Sequence, residues 1–355
     1  MIGRVQPAAA VLDETGLAVS ATDNAAEWNA HVASHRHATA YHQWGWRVVL
    51  REAFGHPSHY LIARRNGRVT GGLPLVEFRS RIFGAFAVSL PFVNYGGVAA
   101  DDDETAAALV AEAVSWARAR GLSHVELRHL SAKAAPWPAK RHKIAMWLPL
   151  ERDASAQWKA LDRKVRNQVR KAEKAGLAMD VGGAERLEEF YQVFSRNMRD
   201  LGTPVYSRRF FASILHEFPN SACVFVVKSG SVPIAASIAI RWRDTVEVPW
   251  ASSLREHSDK SPNMLLYWTM LKRAIADGAS RFDFGRSTPD EGTFHFKRQW
   301  GAVPHPLVWE YAGLAGSLPD QSPKNPKFRL AISLWQRLPV AVANRIGPVV
   351  VRNIP

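Results

Sequence analysis

The chain has 355 residues, 47% of them hydrophobic and 22% charged, a balance that fits a folded globular protein with room for two cores of ordinary size. Its formal charge of +14 favours anionic partners such as RNA, lipid headgroups or a phosphorylated substrate, without choosing among them. A single cysteine excludes an internal disulfide and any multi-cysteine metal site, and no run of eighteen apolar residues offers a membrane span, so a cytoplasmic location is expected.

In chain order, the apolar stretch Ala8 to Leu12 is cut off by Asp13 and Glu14 before it makes a signal-peptide core. A helical pattern from Trp44 to Phe54 then leads into Tyr60-Leu61-Ile62-Ala63. Asn66-Gly67 signals a tight turn, and Val69 to Phe78 completes a predicted hairpin. A strand at Phe86 to Leu90 follows, then a helix from Glu104 to Arg120 closed by Gly121, then a strand from Val125. The second half repeats this order: strand Ala222 to Val227, turn Ser229 to Ser231, strand Ile234 to Trp242, strand Thr245 to Ala251, helix Pro262 to Asp277 closed by Gly278, and strand Arg281 to Phe284. Residue identity between the halves is slight, so the repeat is one of pattern. It predicts an α/β fold of α+β mixed-sheet type, with one unit over 1–150, a second over 151–311 and a basic tail over 312–355. Ser131 to Lys143 and Gly313 to Lys327, both proline-bearing, read as connections.

Three segments carry candidate chemistry. Over Leu161 to Lys174, Leu161, Val165, Val169 and Ala172 share one helical face, while Arg163, Arg166, Arg170 and Lys174 form a cationic strip opposite. Six cations against two acids leave the segment at +4. Arg166 and Arg170 are therefore candidates for binding phosphate, though a strip of this kind also serves as a solvated face. Ser261-Pro262-Asn263 opens the next helix, with Ser261 as cap and Pro262 at the first position, and Asn263 stands where free N–H groups could receive an anion. The loop before it, Leu254 to Lys260, contains no glycine. Finally, Asp283-Phe284-Gly285-Arg286-Ser287 is followed by Gly292 to Gly301, in which His295-Phe296-Lys297-Arg298 sits among aromatic residues. His295 has the intrinsic pKa of a proton acceptor, and Asp283 is an alternative base or an anchor for Arg286.

The Asp283 to Gly301 block, taken with Leu73-Pro74-Leu75, Ser89 to Gly97 and Asn197 to Tyr206, resembles the FemAB family of aminoacyl and peptidyl transferases. The nearest likeness is to the FemAB-like proteins of exosortase and PEP-CTERM systems in Gram-negative bacteria. The resemblance implies two tandem GNAT-like lobes with a cleft between them. It matches Phe296-Lys297 to the family's Phe-Lys segment, whose lysine is assigned to stabilising the developing oxyanion. It also implies transfer of an acyl or aminoacyl group onto an amine of a cell-envelope precursor, exopolysaccharide or lipid. No bound cofactor is expected, the donor being aminoacyl-tRNA or acyl-CoA as co-substrate. The missing loop glycines depart from the pyrophosphate grip of ordinary coenzyme-A-dependent members. Tyr206, Arg208 and Arg209, at the start of an apolar-periodic helix, are candidates for binding the acceptor or its phosphate.

Other signals are weaker. His35, His37 and His42 lack an acidic or cysteine partner that would complete a metal site, so none is expected. Cys223, in an apolar strand, reads as a structural thiol. In the tail, Phe328, Ala331, Ile332, Trp335 and Leu338 alternate with Arg329, Arg337 and Arg345 before Pro339 ends the helix. That pattern suits peripheral contact with a membrane and equally suits packing against the first lobe. Two alternatives to the envelope transferase stay open: an acyl-CoA-dependent N-acyltransferase acting on a lipid amine, and a non-catalytic binder of RNA or anionic membrane. Oligomeric state is not legible in the sequence.

Overall fold

A computed structural model describes residues 16–80, 83–130, 137–313 and 326–355. In the first half β1 (Leu17–Ala21) and α1 (Ala25–Ser34) precede α2 (Gly45–Phe54), β2 (Ser58–Arg65), β3 (Arg68–Ser80) and β4 (Gly84–Val88). Then come β5 (Ala99–Ala100), α3 (Asp103–Ala119), β6 (Val125–His129), β7 (Ala139–Lys140) and β8 (Ile144–Pro149). The second half opens with α4 (Ala154–Ala160), α5 (Arg163–Lys174), β9 (Leu177–Gly182), α6 (Leu187–Asp200) and α7 (Arg208–Glu217). It continues through β10 (Ala222–Ser229), β11 (Val232–Trp242), β12 (Thr245–Ser253), α8 (Pro262–Ala276) and β13 (Arg281–Ser287). Last are α9 (Gly292–Arg298), β14 (Val303–Pro306), β15 (Val308–Ala312), α10 (Pro326–Gln336) and α11 (Val340–Val351).

The two halves repeat one topology. The first sheet has the order β1-β2-β3-β4-β6-β15-β7, with β5 on β3, and the second has β14-β8-β13-β12-β11-β10-β9. In each, four antiparallel strands lead to a helix whose return strand pairs parallel with the fourth: β4 with β6 through α3, and β12 with β13 through α8. Among the described residues these are the parallel pairs of each sheet.

The strand order moves the boundaries expected at 150 and 311. β8, before residue 150, lies in the second sheet beside β13, and β15 lies in the first sheet beside β6. Each half thus lends a strand to the other. A return strand left as a sheet edge would expose unpaired backbone, and the exchange covers it. The connections expected over 131–143 and 313–327 fall partly on residues 131–136 and 314–325, outside the described residues, as does Ala8 to Leu12.

Aromatic residues fuse the halves. Trp46 and Phe54 of α2 meet Phe218 and Phe210 at 5.3 and 5.1 Å between ring centroids, in a core that also takes Phe78, Phe92, Phe190 and Trp250. A second core joins α5 and α8 to the second sheet, with Val165, Val169, Leu271 and Phe282 fully enclosed. α10 and α11 lie along α6, and α11 also reaches the first lobe where His56 Nε2 stands 2.9 Å from the Arg352 carbonyl. Pro339 separates the two tail helices. Ser261 does not cap α8: its backbone is left-handed at φ 55° and its side chain makes no capping bond, while Pro262 does take the first turn. Two residues of Leu161 to Lys174 lie outside the helix, which starts at Arg163 behind an Asp162 cap.

Candidate active site

β12 and β13 pair at three positions, Thr245 with Arg281, Val246 with Phe282 and Glu247 with Asp283, and then part. This register sets two carboxylates side by side on one sheet face. Both are buried, Glu247 at 4% exposure and Asp283 at 0%. Tyr41 donates its hydroxyl to Glu247 Oε1 at 2.7 Å, and Asn94 donates Nδ2 to the same oxygen at 2.6 Å. Asp283 Oδ2 accepts from the Tyr95 hydroxyl and from Trp147 Nε1 at 2.8 Å, and its Oδ1 accepts from the Gly285 N–H at 2.7 Å. Tyr41, Asn94 and Tyr95 come from the first half, so the acid pair is completed only where the halves meet.

Electrostatics follow from that burial. Desolvation, reinforced by the neighbouring Asp283 charge, pushes Glu247 up to about 8. Burial raises Asp283 as well, against the donors it accepts. Both shifts run the same way, since two buried carboxyls on neighbouring strands disfavour two negative charges side by side. Lys297 is buried at 7% exposure, and its Nζ donates to the carbonyls of Gly285 at 3.1 Å and Arg286 at 2.8 Å. Desolvation lowers it to about 8, with Asp283 pulling the other way and Arg286 adding to the fall. An ammonium has three N–H bonds, so the two carbonyls leave one uncommitted.

Gly285 makes this geometry. At φ +74° it turns β13 so that its N–H meets Asp283 and its carbonyl meets Lys297. A Cβ there would stand 2.8 Å from the Val248 carbonyl oxygen and 3.2 Å from Asn94 Nδ2. Gly285→Ala is therefore expected to lower the melting temperature by several degrees, because left-handed strain of about 1–2 kcal/mol adds to the clash. An unchanged thermal melt would contradict this account of the turn.

A cleft of about 640 Å³ opens between the sheets onto Glu247, Asp283, Tyr95 and Trp147. Arg36, Arg128, Arg141, Arg243 and Arg281 line it, which gives it a cationic wall. His37 and His42 line it too, and His42 Nε2 lies 2.8 Å from the Gly97 carbonyl, with burial lowering its ring to about 4.

Of the residues expected from sequence, Asp283 lines the cleft, Lys297 and Arg286 join it through the turn of β13 without lining the cleft, and the others lie apart. His295 is exposed on the far side of α9 beside Arg298, because residues two apart on a helix face different ways. It is not placed to take a proton from an amine in the cleft. Phe296 packs on Tyr267, 5.1 Å between centroids, inside the second core. Arg208 pairs with Glu188 at 3.0 Å on the surface, and Arg209 is exposed beside it. Arg166 turns back to the Lys159 carbonyl at 3.2 Å, and Arg170 lies over Trp158 at 5.5 Å, so the α5 strip lies away from the cleft. Asn263 starts α8 half-buried, also outside the cleft. Tyr206 sits among Phe54, Phe92 and Phe210, with burial raising its hydroxyl pKa and the nearby Arg286 charge opposing that rise. Asp283 does not anchor Arg286; it holds Tyr95, Trp147 and Gly285 instead. Cys223 Sγ meets the Gly182 carbonyl at 3.4 Å, and burial raises its thiol.

Glu247, Tyr41, Trp147 and Arg128 were missed. A signal for Glu247 exists: it interrupts the apolar strand Val246-Glu247-Val248 as Asp283 interrupts Phe282-Asp283-Phe284. A lone acid at the centre of a core strand needs a partner or a proton.

The comparisons with known proteins bear on this arrangement. Residues 159–298, which include Glu247, Asp283 and Lys297, match the family described as acetyltransferase (GNAT) domain. No curated protein matches the chain. Among solved structures, FemX superposes with a TM-score of 0.65 at 15% identity, covering 82% of this chain and 97% of that one. A tandem GNAT protein from the clavulanic acid biosynthesis pathway gives 0.53 at 13% identity, covering 85% and 100%. The C-terminal domain of a putative lysylphosphatidylglycerol synthetase from Agrobacterium fabrum gives 0.55 at 12%, covering 82% and 93%. At these identities the likeness is one of fold. Residues 159–298 are therefore similar to a GNAT acetyltransferase domain, within a two-sheet fold shared with FemX and tandem GNAT proteins.

Proposed function

We propose that the protein moves an acyl or aminoacyl group onto an amine of a cell-envelope precursor, with Glu247 and Asp283 removing the proton of the attacking amine and Lys297 stabilising the oxyanion. The observation that carries this is the buried carboxylate pair, one member raised to about 8, at the floor of an arginine-lined cleft. A base of that pKa is poised to take a proton near neutral pH. The amine attacks the carbonyl carbon of the donor's ester or thioester, its proton passes to the carboxylate pair, and as the tetrahedral intermediate collapses the C–O or C–S bond breaks and the pair returns that proton to the leaving oxygen or sulfur. The sequence likeness to exosortase-associated proteins favours an exopolysaccharide or surface-protein pathway. The donor is aminoacyl-tRNA or acyl-CoA: the glycine-free turn Arg255–Lys260 favours the former, and the acetyltransferase domain match the latter. Labelled donors of both kinds, incubated with purified protein and an envelope-precursor extract with and without RNase, separate these. RNase-sensitive product identifies tRNA as donor and RNase-resistant product identifies CoA; no product with either refutes the proposal.

The tail favours work at a membrane surface. One side of it packs on α6, through Arg199 Nη1 to the Leu338 carbonyl at 2.7 Å and Asn344 Nδ2 to Ser195 Oγ at 3.3 Å. The outward side exposes Leu330 at 70%, Val349 at 67%, and also Leu334 and Ile346, with Arg337 and Arg345 nearby. No acid occurs from residue 321 to the end. Among the described residues no helix is long and apolar enough to cross a membrane. An apolar row edged by arginines suits an anionic bilayer face. Replacing both Leu334 and Val349 by Asp is expected to weaken cosedimentation with anionic vesicles about tenfold or more. Unaltered cosedimentation would remove the tail from the membrane role.

A further inference from the structure

The seam between the sheets holds a second feature that the carboxylate chemistry does not use. Trp309 of β15 is the direct cross-strand partner of Arg128 on β6, so the two side chains share a face. Arg128 Cζ lies 4.3 Å from the Trp309 ring centroid. From the other sheet, Arg286 brings its Cζ to 5.3 Å from the same ring. Two guanidinium groups from two lobes thus converge on one indole.

Of the two, Arg128 has an acid partner and Arg286 has none among the described residues. Arg128 is 1% exposed and donates Nε to Glu126 Oε1 at 2.8 Å. Its Nη2 lies 2.8 Å from that same oxygen, yet its N–H bonds are misaligned with it, so Nη2 is buried with no hydrogen bond. Arg286 forms no salt bridge with a carboxylate among the described residues, and burial, with repulsion from Arg128 added and the Glu126 charge opposing, lowers it to about 10. A desolvated arginine beside another, without its own acid, opposes folding unless an anion joins it. The fork of each guanidinium is shaped to bind two oxygens of one anion. Arg128 also lines the cleft that opens onto Glu247 and Asp283.

We propose that Arg128 and Arg286 form an oxyanion clamp across the lobe seam, with Trp309 as its floor, that holds a phosphate or carboxylate of the substrate while its reacting group faces Glu247 and Asp283. The substrate's role rests on the transferase reading; the clamp's existence does not.

The test reads binding without turnover. Melting temperatures are recorded in inorganic phosphate, acetate and chloride at equal ionic strength, for the wild type, Arg286→Gln and Arg286→Lys. Phosphate or acetate is expected to raise the wild-type melting temperature above that in chloride, and the larger of the two effects identifies the group preferred. Arg286→Gln should lose that gain, with anion affinity down about tenfold or more, and Arg286→Lys should keep part of it. In chloride alone Arg286→Gln should melt above the wild type, because the uncompensated repulsion is gone. No anion-specific gain in the wild type, or an equal gain in Arg286→Gln, overturns the clamp. Arg128→Gln is a weaker probe because it leaves Glu126 buried and alone; Arg286 is largely buried but pairs with no carboxylate among the described residues, so its replacement leaves no such orphan. If the clamp binds anions and the labelled-transfer assay is blank, the transferase reading fails and the clamp stands.

Discussion

Lys297→Ala is expected to lower turnover about 10²- to 10³-fold with the fold intact, the loss seen when one oxyanion donor is removed. The ammonium is held by two backbone carbonyls at the point where β13 leaves β12, and it is nearly enclosed. A cation fixed in this way needs no reorganisation when negative charge develops on the attacked carbonyl. The two carbonyls lose their donor in the variant, so a modest fall in melting temperature accompanies the loss. A variant folded by circular dichroism and near wild-type in rate would sink the role given to Lys297.

Glu247→Gln should have the second large effect, about 10²- to 10⁴-fold on turnover, since it removes a general base while keeping shape. It carries an opposite sign for stability. In the folded protein Glu247 keeps its proton up to about pH 8, whereas the unfolded chain releases it near the ordinary value of 4.5. Between those values the folded state binds more protons, so stability falls as pH rises through that window. The glutamine has no proton to hold and escapes this fall. Its melting-temperature advantage over the wild type should grow from about pH 4.5 to about pH 8 and then level off. Loss of activity with gain of stability is the pattern of a functional group held in an unfavourable place; loss of both would make Glu247 a structural residue.

The pattern of elements was legible because turn glycines and helix-ending glycines punctuate both halves. Gly121 and Gly278 end their helices as the spacing requires. The strand exchange was not legible: nothing local in Ile144 to Pro149 or Val308 to Ala312 says which sheet a short apolar strand joins. That choice is made by the open edge beside β13 and β6, a tertiary fact. The site was half visible. Asp283, Arg286 and Lys297 lie within fifteen residues and share a motif, so sequence proximity exposed them. Glu247 and Tyr95 reach Asp283 across 36 and 188 positions of chain and Tyr41 reaches Glu247 across 206, and only the sheet register and the lobe seam bring them together. The reading of His295 failed because adjacency in a motif is not adjacency on a helix, where neighbours two apart diverge.

The most direct test of the central claim, that the Glu247–Asp283 pair takes the amine proton beside a charged Lys297, is the pH dependence of kcat/KM for labelled transfer in the wild type and in Glu247→Gln. The wild type should give a narrow bell with its optimum near pH 8, where Glu247 has begun to lose its proton and Lys297 still keeps one. The glutamine variant should be slow and should lack the rising limb. A variant that keeps the rising limb at nearly the wild-type rate would place the base elsewhere and contradict the account.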